Sequence, residues 1–138
     1  MSKNTDYPVT PAVRFLRTHQ IDFEPYIYVY EEHGGTGQFA QLFGVDEHQV
    51  VKTIVLQNEA KKGLVVVMHG DKQISTRNLA RDLGMKHIEP ADPKQANKWT
   101  GYLVGGTTPF GMKTRLPVYV EKSIWDLEKV YINGGKRG

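Results

Sequence analysis

The chain has 138 residues, one domain's worth, and its 39% hydrophobic and 24% charged residues are those of an ordinary globular protein able to bury a core. It has no cysteine, which excludes disulfides, a zinc–thiolate site and a cysteine nucleophile. Eighteen Lys and Arg against 15 Asp and Glu leave a net charge of +3, which permits a polyanionic partner without demanding one.

No apolar run approaches the ~20 residues of a membrane span. The first residues, MSKNTDYPVT, lack the apolar stretch of a signal peptide, so a cytoplasmic protein is expected. No internal repeat or low-complexity linker is present, and residues 1–138 read as a single domain.

Gly and Pro cut the chain into short elements. Thr10 can cap a first helix, with Pro11 at its first position and Ala12, Val13 and Leu16 as its apolar stripe, ending near His19. Phe23 to Tyr30 alternates aromatic and aliphatic residues and predicts a strand, broken early by Pro25. GGTG (34–37) predicts a loop, Gln38 to Phe43 a short helix stopped by Gly44, and Asp46 a capped turn. Val50–Gln57 and Leu64–His69 predict a hairpin joined by NEAKKG. Ser75 caps a helix running to Leu83 and Gly84, and Lys86–Glu89 predicts a short strand. Asp92 and Pro93 open another helix, which Gly101 closes. Tyr102–Val104 predicts a strand, GGTTPFG (105–111) a loop, and Pro117–Glu121 a strand that Pro117 pushes toward an edge or a strand start. Ser123 and Asp126 resemble a capping box. Lys129–Asn133 predicts a last strand, and NGG (133–135) a turn that should hand over to a returning strand. Strands and short helices without regular βαβ alternation define an α+β domain, a curved mixed sheet with helices around it.

Lys52 interrupts the apolar run QVVKTIVLQ and by alternation shares a face with Val50, Ile54 and Leu56. An unpaired buried charge costs several kcal/mol, so its ammonium must reach solvent, find a partner or line a cavity. From position alone, a snorkelling lysine and a cavity-lining one both stand. The stretch GYLVGGTTPFGMKT (101–114) nearly matches a triphosphate-binding loop, but Met112 separates Gly111 from Lys113, and Pro117 follows too closely for a full helix. Nucleotide hydrolysis is therefore rejected. The loop could instead form an anion-binding nest or an oxyanion hole, or serve as a long connection.

His19, His33, His48, His69 and His87 form no metal-ligand spacing, so each reads as a surface residue and no metal is expected. Of the three serines, Ser75 and Ser123 read as helix caps, and neither they nor Ser2 lies in a GxSxG motif. GGKRG (134–138) could hold a phosphate or be a solvated basic tail. Tyr26, Tyr28 and Tyr30 fall on one side by alternation, as a half-buried sheet face or a base-stacking surface.

Taken together, TPAV (10–13), VVKT (50–53), ADP (91–93), TGYLVGGTTPFG (100–111), KTRLPV (113–118) and YINGGKRG (131–138) resemble, in order and spacing, the YbaK/EbsC-type aminoacyl-tRNA deacylases. These are free-standing relatives of the editing domain of bacterial prolyl-tRNA synthetase. The resemblance spans about residues 10–138 and implies that family's fold, with a barrel-like core. It implies that Lys52 is catalytic. It implies that Gly105, Gly106, Thr107, Thr108, Pro109, Phe110 and Gly111 cradle the aminoacyl ester at the tRNA 3′ end. Tyr28 or Tyr30 would line the same pocket, bordered by Lys136 and Arg137. The implied reaction removes a wrong amino acid from tRNA, usually cysteine from tRNA for proline, with the substrate's own thiol attacking its ester. No cofactor and no metal are implied; tRNA is the partner, and prolyl-tRNA synthetase a possible one. A non-catalytic tRNA-binding or interaction module of the same fold is the alternative. Close relatives often carry an aromatic residue where this chain has Gly35, and they continue past GGKRG by a strand and a helix, so the chain is expected to lack that segment.

Overall fold

A computed structural model describes residues 7–138; Ser2 lies outside the described residues. Four helices, α1 (Pro11–Thr18), α2 (Gly35–Phe43), α3 (Thr76–Leu83) and α4 (Pro93–Thr100), surround four strands, β1 (Val51–Asn58), β2 (Gly63–His69), β3 (Ile88–Pro90) and β4 (Val118–Val120). Two 3₁₀ turns, Glu47–Gln49 and Lys122–Asp126, complete the described elements. The fold is α+β, as expected.

Local signals set the helix ends. The Thr10 hydroxyl accepts from the Val13 amide at 3.1 Å, Ser75 from Asn78 at 3.2 Å and Asp92 from Lys94 at 2.8 Å. Pro11 and Pro93 occupy first-turn positions, where no amide is needed. Gly44, Gly84 and Gly101 terminate α2, α3 and α4.

The sheet order is β3-β1-β2-β4. β1 pairs antiparallel with β2 (Lys52 opposite Met68, Ile54 opposite Val66) and with β3, while β4 joins β2 in parallel. The sheet is mixed but open, with β3 and β4 as its two edges, so the barrel-like core does not extend to a closed ring of strands.

Alternation along the hairpin divides the core into two layers. Ile54, Leu56, Leu64 and Val66 pack against α3 through Leu79, Ala80 and Leu83, with Ile88 of β3. Val55 and Val65 pack on the other face against Ala96 and Trp99 of α4 and against Met112 and Leu116. Val51 and Val67 meet Ile124 on that same face. Leu56 and Leu64 are each 1% exposed, and burying such a side chain contributes about 1.5–3 kcal/mol.

Several expected elements differ. Residues 23–30 form no strand, because no ladder partner lies beside them. Their alternation persists all the same: Tyr26, Tyr28 and Tyr30 are half-buried, and Ile27 and Val29 are exposed. Residues 102–104 are turn and coil, and residues 129–133 supply only one bridge, Tyr131 beside Val50. The helix after GGTG begins within it, at Gly35. The strand expected at Lys86–Glu89 is the later and shorter β3. The cap of the last 3₁₀ turn is Glu121, whose carboxylate accepts from the Ser123 amide at 3.3 Å; Ser123 is not the cap. No strand returns after NGG. Instead the Asn133 side-chain oxygen accepts from the amides of Gly135 (2.8 Å) and Lys136 (3.3 Å), folding the tail into an Asx turn. No helix among the described residues is long and apolar enough to cross a membrane.

Candidate functional site

Two segments distant in sequence converge on one cleft of about 350 Å³, lined by Tyr102, Leu103, Gly106, Gly135, Lys136 and Arg137. The Gly106 amide donates to the Leu103 carbonyl at 2.8 Å, closing a tight turn. Its third residue, Gly105, has φ +92°, a conformation that side-chain-bearing residues rarely adopt. A Cβ on Gly105 would also lie 2.7 Å from the Tyr30 hydroxyl. The tail docks on this turn. Asn133 donates its side-chain amide to the Gly105 carbonyl at 2.9 Å, and Arg137 Nε donates to the Val104 carbonyl at 2.7 Å. The Arg137 guanidinium stands 5.3 Å from the centre of the Tyr30 ring, a cation–π distance. Tyr30, Gly105, Gly106, Lys136 and Arg137 are thus brought together.

The rest of the loop turns away and is anchored. The Tyr102 hydroxyl donates to the Phe110 carbonyl at 2.6 Å, and burial pushes this phenol's pKa up, keeping it a donor. Phe110 stacks on Phe15 of α1 with ring centres 5.9 Å apart. Gly111 presses against the Pro11 carbonyl, and the Thr107 hydroxyl donates to Leu103 O at 3.2 Å. Pro109 is half-buried. Thr108 is fully buried, and its hydroxyl has no partner among the described residues. The amides of Thr107 and Thr108 donate to no backbone carbonyl there either. Unspent donors of this kind can hold a carbonyl or phosphate oxygen.

Tyr28 sits apart from the cleft. It joins an aromatic cluster with Phe39 and Phe43 of α2, ring centres 5.8 and 6.2 Å away, and its burial raises its pKa. Tyr26 and Tyr131 complete that cluster.

Lys52 points to the α3 face at the start of β1. It is half-buried, and its ammonium donates a long 3.4 Å hydrogen bond to the Gly70 carbonyl. No carboxylate pairs with it among the described residues. It does not line the cleft of Gly106 and Arg137, and Met112 and Leu116, beyond the loop, pack on the opposite face of the sheet.

A second polar constellation was missed in the sequence. His69 is 1% exposed, not a surface residue. Its Nδ1 donates to the His48 carbonyl at 2.8 Å, and its Nε2 meets the Ser123 hydroxyl at 2.7 Å. Its ring stacks on that of His48 at 3.7 Å, and His48 Nδ1 bonds Asp71 at 2.9 Å. The ligand atoms of His48, His69 and Asp71 lie within 4.8 Å of one another. The set suits a structural network better than a metal, since both His69 nitrogens are committed and lone pairs of parallel stacked rings do not converge. The alternation of β2 marks His69 as inward-facing; nothing local marks its partner Ser123.

The chain is thus a small α+β domain in which a glycine turn and a basic tail wall one cleft. A family model for the aminoacyl-tRNA editing domain matches residues 33–138, and the chain belongs to that family. It is 27% identical, over its whole length and 85% of the relative's, to a protein of Enterococcus faecalis named "Putative Cys-tRNA(Pro)/Cys-tRNA(Cys) deacylase EbsC". It is also 27% identical over 96 residues to the proline–tRNA ligase of Brachyspira hyodysenteriae, covering 70% of this chain and 17% of that protein. Among solved structures, one described as "a putative trans-editing enzyme for prolyl tRNA synthetase" superposes with a TM-score of 0.79 at 22% identity, over 92% of this chain and 80% of that one, and so shares the fold.

Proposed function

We propose that the protein is a trans-editing aminoacyl-tRNA deacylase, acting in the cytoplasm on free mischarged tRNA or beside a prolyl-tRNA synthetase, with cysteine on tRNA for proline as its target. The observation that carries this reading is the convergence of Gly105–Gly106, Lys136–Arg137 and Tyr30 around one cleft. In this reading the cations meet the terminal phosphates, while Thr107 and Thr108 donate to the ester carbonyl. The substrate's thiol attacks that carbonyl: the sulfur–carbon bond forms, the carbon–oxygen bond to the ribose breaks, and the thiol proton passes to the ribose oxygen. No protein nucleophile is required, which suits a chain without cysteine. Lys52 is assigned to orienting the substrate and stabilising developing negative charge by the family resemblance alone; its ammonium bonds Gly70 outside the cleft, so the acylated end must extend past the cleft to meet it.

Incubation of Cys-tRNA for proline with the protein tests this reading. Ester loss faster than in buffer, abolished by Lys52→Ala, is expected; loss equal to buffer refutes it. The position of Lys52, hydrogen-bonded to Gly70 away from the cleft, favours one second reading, a module that binds the tRNA 3′ end without turnover. Salt-sensitive tRNA binding without deacylation would select it.

A further inference from the structure

A second cleft, of about 420 Å³, opens between α3 and β3 and shares no lining residue with the first. Its floor is apolar: Ala80 and Ile88 are 6% and 2% exposed. Its walls are basic. Arg77 and Arg81 stand one turn apart on α3 and so share a face, with Lys86 and His87 opposite, on the approach to β3.

The acids around this cleft lie beside Lys86 and His87 and leave its two arginines without a carboxylate partner among the described residues. Glu59 accepts the backbone amides of Lys86 (3.1 Å) and His87 (3.3 Å). Glu89 is engaged by Gln57, Lys61 and the His87 ring. Asp82 directly follows Arg81 and projects about 100° round the helix. Among the described residues no ion pair involves Arg77, Arg81 or Lys86. The Arg81 guanidinium is instead braced by a neutral group, the Asn78 side-chain oxygen, at 2.7 Å. Lys86 faces the Glu59 carboxylate, so the two arginines are the cations of this cleft that no carboxylate partners among the described residues, in a chain whose net charge is only +3.

We propose that this α3–β3 cleft is a second binding site, for the phosphodiester backbone of the tRNA body, separate from the cleft that takes the aminoacyl end. Two arginines whose Cβ atoms lie about 5–6 Å apart along a helix can engage successive phosphates of one strand, and arginine is suited to such oxygens by its planar fork of donors. An open, basic cleft without a polar floor reads charge along a backbone and carries no device for reading bases. The proposal rests on the tRNA reading above, and its test separates the two.

The test measures binding of deacylated tRNA by fluorescence anisotropy between about 50 and about 200 mM salt, for the wild type and for Arg77→Ala/Arg81→Ala. The double variant is expected to bind about fivefold or more weakly, with the slope of log affinity against log salt reduced by about one to two. Arg77→Lys/Arg81→Lys should retain most of the slope, and cleavage of a cysteinyl-adenosine ester, which has no tRNA body, should be unchanged in every variant. Equal affinity and slope in the wild type and the alanine variant overturn the proposal. So does displacement of tRNA by micromolar inorganic phosphate, which marks a small-anion site. If tRNA binding falls as expected while no protein cleaves any ester, the cleft assignment stands and the deacylase reading fails.

Discussion

Arg137 donates its Nε–H to the carbonyl of Val104 at 2.7 Å, joining the tail to the glycine turn across 33 residues of sequence. Cation and turn therefore hold each other in place. The glycines matter here as much as the charge, because the tail backbone passes directly over Gly106.

A Cβ added to Gly106 would lie 3.0 Å from the Arg137 amide nitrogen and 3.1 Å from the Lys136 carbonyl carbon. Backbone atoms cannot swing aside as a side-chain tip can. Gly106→Ala is expected to lower stability by about 1–3 kcal/mol, the cost of overpacking, and to weaken tRNA 3′-end binding. Gly134→Ala, whose Cβ would meet nothing within 4 Å, is the matched control and should leave the unfolding midpoint unchanged.

Lys52→Ala and Lys52→Gln are expected to leave the urea midpoint within experimental error, because the only hydrogen bond lost among the described residues is a long one to Gly70. Deacylation should fall by about 10²–10³, the usual effect of removing one transition-state donor. Single-turnover rates on Cys-tRNA for proline decide the matter; an active Lys52→Ala protein would remove this residue from the mechanism.

Gln57, His87 and Lys61 converge on Glu89 and hold its carboxyl at about 2, below its ordinary value of 4.5. A depressed folded-state pKa gives stability that is fully present above the unfolded value and is lost as protons bind the folded carboxylate. The Glu89 contribution should therefore be intact above pH about 4.5 and disappear as the pH falls to about 2. Urea midpoints over that window should show a shallower acid decline for Glu89→Gln than for the wild type.

Leu56 is 1% exposed and packs between Leu64, Val66, Ala80 and Ile88. Leu56→Ala is expected to cost about 2–5 kcal/mol, a large share of the roughly 5–15 kcal/mol that holds a domain together. Its denaturation midpoint should fall accordingly.

The sequence made α1, α3, α4 and the β1–β2 hairpin legible because their signals are local: Thr10 with Pro11, Ser75 with Gly84, Asp92 with Pro93, and apolar alternation on both sides of NEAKKG. Residues 23–30 and 102–104 show why alternation alone is insufficient, since a strand also needs a neighbour and neither segment has one. The docking of GGKRG on the loop was suggested only by resemblance, because no local pattern predicts that Asn133 and Arg137 bond residues 104 and 105. Burial of His69 depends on Ser123, 54 residues away, and the basic α3–β3 cleft depends on where Glu59 and Glu89 spend their charges.

The Thr10 hydroxyl receives the Val13 amide and itself donates to the Gly134 carbonyl at 2.5 Å. One oxygen thus ties the opening helix to the closing turn, so neither can fray alone. In deuterated solvent Thr10→Val should speed exchange of the Val13 amide directly, and that of Gly135, which the Asn133 side chain holds, through opening of the turn. The architecture behaves at this point like a clasp, whose loosening would open the cleft of Gly106 and Arg137 without disturbing the central hairpin.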